Sequence, residues 1–133
     1  MSKTIQAQLL TPNGSLFEGD ATGVLVPGAQ GAFEILDRHA PIVSVLGIGQ
    51  IRVTLPDGEQ RFFAVSGGFV EASNNVVTVL AEKALSPEEI NLAETSERLK
   101  DVKAALKETV HGRDALEKEV QELNNLIRLS QSG

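Results

Sequence analysis

Apolar and polar positions alternate with a period of two through the first 85 residues. Near the start, Ile5, Ala7 and Leu9 alternate with polar neighbours, and segment 50–55 repeats the pattern. Successive side chains of a strand point to opposite faces, so the alternation predicts strands with one face in a core. Turn-forming residues separate the runs at 12–14, 27–28, 56–58, 66–68 and 74–75. Residues 1–85 are therefore predicted to form a mainly β antiparallel sandwich or flattened barrel. All five phenylalanines lie in this part, which predicts an aromatic core.

The pattern changes to a helical period after residue 85. Ser86 can cap a helix, Pro87 suits its first position, and Glu89 completes a capping box. A helix is therefore predicted to start here, and we expect it to cover residues 87–109. Its apolar residues form one stripe on a charged rod. They are Leu92, Leu99, Val102, Leu106 and Val110.

A second helix is predicted over residues 114–129, after a bend at Gly112 and with Asp114 as a possible cap. Its stripe consists of Leu116, Val120, Leu123 and Ile127. Two helices separated by so short a break predict an antiparallel hairpin, which makes residues 86–133 a second unit. Neither stripe contains an aromatic residue, so the hairpin is expected to be weakly packed and able to detach.

The net charge of −6 is shared by both parts of the chain. Residues 1–85 carry eight acidic and five basic side chains, and residues 86–133 carry ten and seven. Without a basic patch, no nucleic-acid partner is expected. The absence of cysteine excludes disulfides and thiolate zinc sites. No apolar run is long enough for a secretory signal or a membrane span. The chain is therefore expected in the cytoplasm, meeting a membrane only through a partner.

Two glycine-rich segments are candidate chemical sites. The segment Gly28 to Gly31 lacks the Lys-Ser/Thr pair of a phosphate loop and continues as a strand, so a turn is favoured. The segment Ser66 to Gly68 lacks the first glycine of a nucleophile elbow and is interpreted as a bulge or tight bend.

The two histidines have no partners that indicate chemistry. His39 precedes Ala40-Pro41 without a second histidine at metal-site spacing or a recognisable nucleophile, which favours a hydrogen-bonded or interface role. His111 lies beside Gly112 and is interpreted as a turn residue. We predict no catalytic, cofactor-binding or metal-binding residue. Helix charges such as Glu94 and Arg98 are expected to form a solvated face.

An ordered set of segments resembles the epsilon subunits of bacterial F-type ATP synthases. The segments are Leu10 to Gly19, Val26 to Gly31, Phe33, Ile35, Leu36, His39 to Pro41, Gly49 to Val53, Phe63 to Glu71 and Asn75 to Ala81. The resemblance covers the whole chain. It implies a non-catalytic rotor-stalk subunit whose sandwich binds the gamma subunit and the polar loops of the membrane ring, on the cytoplasmic side of the plasma membrane. It also implies a mobile hairpin that can extend to the catalytic alpha/beta head and obstruct ATP hydrolysis.

The resemblance further implies that segment 31–41 faces the ring loops. Ala32 occupies a position where the family can carry an acid, and Glu34 and Asp37 are close by. We therefore expect Glu34 to be the acidic partner of a basic ring loop. The expected partner-binding residues are Gly31, Ala32, Glu34, Asp37, His39 and Pro41.

Some family members bind ATP through an Ile-Asp pair followed by Arg-Ala at the start of the first helix. The matching segment, Ile90 to Thr95, has Asn91 for the acid and Glu94 for the arginine. Because Glu94 would repel phosphate, strong ATP binding is not expected. The few bases of the second helix, Arg113, Lys118 and Arg128, indicate modest inhibition of the head.

Two other functions are compatible with the residues alone. One is a general interaction module in which the sandwich displays the hairpin to an unrelated partner. The other is a small hydrolase using His39 with a nearby carboxylate, although the sequence contains no recognisable nucleophile.

Overall fold

A computed structural model describes residues 3–132. Eight strands precede two helices. The strands are β1 (Ile5–Thr11), β2 (Gly14–Ala21), β3 (Gly23–Gly28), β4 (Gly31–Leu36), β5 (Ile42–Val45), β6 (Ile48–Thr54), β7 (Gln60–Ser73) and β8 (Val76–Leu85). The helices are α1 (Leu92–Glu108) and α2 (Arg113–Ser132), which pack against each other. The predicted sandwich followed by a helical hairpin is confirmed.

The strands pair in the order β2-β1-β8-β7-β6-β3-β4, and β5 also pairs with β7. All these pairs are antiparallel except β1 with β8, which is parallel. The 14-residue β7 pairs with β6 over residues 60–66 and with β5 over residues 69–72. One long strand therefore belongs to both layers of the sandwich.

The bend that divides β7 lies at Gly67 and Gly68, whose φ angles are +77° and +111°. L side chains rarely adopt such angles, which explains the glycines. The amide of Leu46 donates to Gly68 O (2.9 Å), and the amide of Gly67 donates to Gly47 O (3.2 Å). The register between β7 and β8 is unchanged across Gly67, so no residue is inserted. The segment interpreted as a bulge or bend is a bend.

The core of the sandwich is mainly aliphatic. Ile51 and Val26 are fully buried, and the other large buried side chains are Ile5, Leu9, Ile35, Val24, Val53, Val65, Val70, Val77 and Val79. Of the phenylalanines, Phe63 is buried in this core, while Phe69 is 48% exposed. The expectation of an aromatic core is confirmed only in part: Phe17 and Phe33 also pack against this core, but most of its buried side chains are aliphatic.

The first α-helix starts later than predicted. Ser86 and Glu89 do form the capping box, with Ser86 N donating to Glu89 Oε1 (3.0 Å), but it closes only a 3₁₀ turn, Pro87–Glu89. Ile90 is extended, and Asn91 caps α1 by accepting a hydrogen bond from Glu94 N (3.0 Å). The predicted start of the α-helix at Ser86 is wrong because the side-chain oxygen of Asn91 provides a second cap further along that segment, and the helix begins there.

The hairpin turn lies at Gly112, in agreement with the sequence, with φ +75°. Arg113 then satisfies carbonyls at the end of α1, since its Nη1 donates to Leu106 O (2.6 Å) and Thr109 O (3.1 Å). The stripe residue Val110 does not pack in the hairpin and is 80% exposed.

Candidate partner-binding surfaces

The residues expected to bind a partner lie at both ends of β4. Gly31 and Ala32 are exposed at the turn between β3 and β4, whereas Asp37, His39 and Pro41 follow the other end of the strand. A six-residue strand spans roughly 20 Å. The structure therefore groups the last three residues but separates them from the first two.

Asn75, in the turn between β7 and β8, holds the loop that follows β4. Its Nδ2 donates to Asp37 Oδ1 (2.7 Å), and its Oδ1 accepts from Arg38 N (2.9 Å). Arg38 and Asn75 both have left-handed backbones, with φ +65° and +60°. His39 Nδ1 lies 2.7 Å from Ala40 O, as expected of a hydrogen-bonded loop residue. Sequence reasoning treated Asn75 only as a turn residue and missed this contact.

Glu34 is paired within the chain. Its Oε2 lies 3.4 Å from Nη2 of Arg52, and the two side chains are 36% and 32% exposed. Both residues pair with Leu25 in the sheet register, which places them on the same outer face. The Nε of Arg52 is buried and has no hydrogen-bond partner among the described residues. The expected acidic partner of the ring is thus already close to one cation.

An apolar row crosses the strands β1, β8, β7 and β5 on the outer surface. The apolar row consists of Leu10, Leu80, Phe69 and Val45, each paired with the next in the sheet register. Val45 is 63% exposed, and Val43 on the same strand is 71% exposed. Exposed apolar residues that adjoin one another are a common feature of surfaces that bind another chain.

The local sequence of β5 could have indicated this surface. Ile42 and Ser44 are half-buried, so the valines between and after them point outward. A strand at the edge of a sheet whose outward-facing side chains are apolar indicates an interaction surface.

The outer face of β6 and β7 is covered by α2. Asn125, 5% exposed, donates from Nδ2 to Gly49 O (2.7 Å). Ser66, 6% exposed, donates to the carboxylate of Glu122 (2.5 Å). A cleft of about 540 Å³ remains between α2 and strands β7 and β8. Of the α2 residues that line this cleft, the apolar stripe predicted from the sequence includes only Leu123.

The segment considered for ATP binding, Ile90 to Thr95, caps α1. Asn91 accepts from Glu94 N, and Thr95 Oγ1 donates to Asn91 O (2.7 Å). Among residues 3–132, no three histidine or acidic side chains are grouped so that they could hold a metal ion. Within the same residues, neither helix has the length and apolar character needed to cross a membrane.

Comparisons with known proteins agree with this architecture. Residues 4–87 match the family model for the ATP synthase, Delta/Epsilon chain, beta-sandwich domain. The ATP synthase epsilon chain of Stenotrophomonas maltophilia (strain K279a) is 35% identical over 132 residues, which cover 95% of this chain and 94% of the relative. The ATP synthase epsilon chain of a Nitratiruptor species is 32% identical over 113 residues, covering 85% of this chain and 88% of the relative.

Two solved structures share the fold. A chain from the Euglena gracilis mitochondrial ATP synthase, described as OSCP/F1/c-ring in rotational state 1, has a TM-score of 0.85 at 19% identity, covering 95% of this chain and 81% of that one. A chain from the Tetrahymena thermophila mitochondrial ATP synthase central stalk and c-ring has a TM-score of 0.58 at 15% identity, covering 98% and 96%. The family model and the bacterial relatives show that the chain belongs to the family of ATP synthase epsilon chains.

Proposed function

We propose that this chain is a non-catalytic subunit of the rotor stalk, which couples the gamma subunit to the membrane ring and restrains ATP hydrolysis through its hairpin. Membership of the epsilon-chain family supports the assignment of this chain to an ATP synthase complex. Two structures of similar fold come from assemblies described as containing a c-ring. In this role the chain lies at the cytoplasmic side of a bacterial membrane and is held there by its partners. No cofactor or catalytic residue is required of it.

The observation that carries the proposal is the apolar row. Val45 and Phe69 are large apolar side chains left 63% and 48% exposed on the surface of the sandwich. Burying a Val, Leu or Phe side chain contributes roughly 1.5 to 3 kcal/mol. A partner that covers the row would therefore gain substantially, and we assign this surface to the gamma subunit. Because the row belongs entirely to the sandwich, binding to gamma should not need the hairpin.

The ring contact is proposed to run lengthwise along β4. This strand lies at one end of the strand order, and Ala32, Glu34 and Leu36 are exposed along it. A contact of this shape would link Gly31 at one end of the strand with the loop 37–41 at the other. It also places Glu34 near the middle, where a basic ring loop would compete with Arg52 for the carboxylate.

The hairpin is proposed as the regulatory element. As one continuous helix, residues 92–132 would reach roughly 60 Å, about twice the reach of the folded hairpin. That length would carry the second helix from the foot of the stalk toward the alpha/beta head. The exposed Val110 supports opening, because the folded turn leaves this stripe residue unpacked.

Reconstitution tests the proposal. The full-length chain and a version ending at Leu85 are added to an epsilon-free catalytic head with gamma from the same organism, and binding and ATP hydrolysis are measured. We expect both forms to bind and only the full-length chain to inhibit. Failure of both forms to bind would instead favour the general interaction module, and failure of the shorter form alone would assign binding to the hairpin.

A further inference from the structure

The helix α2 has a second face, which packs against the sandwich and adjoins the apolar stripe at Leu123. Asn125 and Leu129 are 5% and 2% exposed, and the α2 residues that line the cleft against the sandwich include Ala115, Lys118, Glu122 and Leu126. These positions recur at steps of three and four and so share one side of the helix. Because polar residues occupy several of them, hydrophobic periodicity does not reveal this face.

Asn125 contacts two strands at once. Its Nδ2 lies 2.7 Å from Gly49 O on β6 and 3.4 Å from Val65 O on β7, and these two residues are paired in the sheet. Burying an amide is unfavourable unless it is hydrogen-bonded. Since a shift of one residue moves the helix by about 1.5 Å, the amide meets both carbonyls in one position only.

Glu122 lies one helical turn before Asn125 and makes the second polar contact. Its carboxylate accepts from Ser66 Oγ (2.5 Å) and from Lys83 Nζ (3.3 Å). The side chain of Glu122 is 14% exposed, whereas that of Lys83 is 71% exposed. A carboxylate with so little access to water is destabilised when it loses its hydrogen-bonding partner. Docking therefore satisfies Asn125 and Glu122 together.

Apolar packing beneath α2 is incomplete, so the polar contacts contribute a larger share of the free energy that holds α2 on the sandwich. A cleft of about 540 Å³ remains there, lined in part by small side chains such as Ala64, Ala84 and Ala115. Among residues 3–132, the buried polar side chains are Ser66, Thr95 and Asn125. Two of these three lie in the contact between α2 and the sandwich.

We infer that Asn125, Glu122, Ser66 and Lys83 form a polar lock that fixes the hairpin in one register on the sandwich, and that the hairpin is released when this lock breaks. A single buried asparagine fixes register in coiled coils by the same physics. The regulatory meaning of release rests on the proposed function. The lock itself is a property of the isolated chain and can be tested without any partner.

The natural absence of cysteine makes the test direct. Cysteines introduced at the exposed positions Glu59 and Lys107 carry nitroxide spin labels, and double electron-electron resonance measures the distance between sandwich and hairpin in the full-length chain. The variants are Asn125→Ala, Ser66→Ala and Asn125→Leu. Asn124→Ala is the matched control, since Asn124 lies four residues after Val120, on the side of α2 that carries its own apolar stripe.

The unsubstituted chain and the control should show one narrow distance distribution. Asn125→Ala and Ser66→Ala should raise the released population roughly tenfold, the usual effect of leaving a buried polar group without its partner. Asn125→Leu should stay docked with a broader distribution, because an apolar side chain contributes burial without selecting a register. Protection of the Ile51 amide from hydrogen exchange reports whether the sandwich of each variant is folded.

Distributions of Asn125→Ala and Ser66→Ala that match the unsubstituted chain would overturn the lock. A narrow distribution for Asn125→Leu would overturn its role in register. Neither result depends on binding to gamma, because the distances are measured in the isolated chain. Failure to bind gamma would therefore refute the proposed function without affecting the test of the polar lock.

Discussion

Arg98 on α1 and Glu119 on α2 are joined across the hairpin by two hydrogen bonds, 2.7 Å from Nε to Oε2 and 3.0 Å from Nη2 to Oε1. Donation by Arg98 lowers the pKa of Glu119 below its ordinary value of 4.5. The same hydrogen bonds raise the pKa of Arg98. The sequence alone groups Arg98 with Glu94 on a solvated face, but in the hairpin it binds the opposite helix.

This pair predicts a pH dependence of hairpin stability. Because the pKa of Glu119 is lowered by folding, its contribution is complete above pH 4.5 and is lost as the pH falls through the lowered value. Arg98 stays charged throughout. Glu119→Gln should therefore reduce the thermal midpoint of the helices at neutral pH, and the difference from the unsubstituted chain should vanish in acid. Circular dichroism melts from pH 7 to about pH 3 measure this.

Glu97→Gln, an exposed change on α1, is the control for that experiment and should leave the pH dependence nearly unchanged. A difference between Glu119→Gln and the unsubstituted chain that persists at low pH would contradict the assigned cause, since protonated Glu119 no longer pairs as an anion with Arg98.

Gly68 should be irreplaceable at the bend of β7. A Cβ there would overlap Leu80 O, and the φ of +111° is unfavourable for any L side chain. Gly68→Ala should therefore destabilise the sandwich by more than about 4 kcal/mol or prevent folding. The matched change Gly58→Ala has φ +92° but open space around the new Cβ, so it should cost only about 1 to 2 kcal/mol. Urea unfolding compares the two, and equal losses would mean that backbone strain alone governs both sites.

The strands and the hairpin could be predicted from the periodicity of apolar residues, because each element has one buried face. Periodicity failed where two signals competed or where the buried face was polar. The capping box at Ser86 satisfied every local rule, yet Asn91 offered a better start to a longer helix. Asn125 is buried without being apolar. The partners of Arg98 and Glu34 lie 21 and 18 residues away, and no local pattern selects such contacts.

The apolar row predicts a separation of binding from stability. Val45→Ser should change the free energy of unfolding by less than about 0.5 kcal/mol, because Val45 is already 63% exposed, but should weaken binding to gamma. Ile51→Ala should do the reverse, costing about 2 to 5 kcal/mol because Ile51 is fully buried, with unchanged binding while the chain is folded. Chemical unfolding and binding titrations measure both. Unchanged binding by Val45→Ser would assign gamma to another surface.

Glu34 can support coupling either by contacting the ring or by pairing with Arg52, and substitutions at the two residues distinguish these roles. If the carboxylate contacts a basic ring loop, Glu34→Lys should reduce proton-driven ATP synthesis while the sandwich stays folded. The loss of the half-exposed pair with Arg52 should cost at most about 1 kcal/mol. Arg52→Gln removes the same internal pair but leaves the carboxylate available to the ring, so it should preserve synthesis. Reconstituted vesicles driven by an imposed proton gradient measure both variants. Normal synthesis with Glu34→Lys would limit Glu34 to its contact with Arg52, and equal losses would show that the pair, rather than the carboxylate, supports coupling.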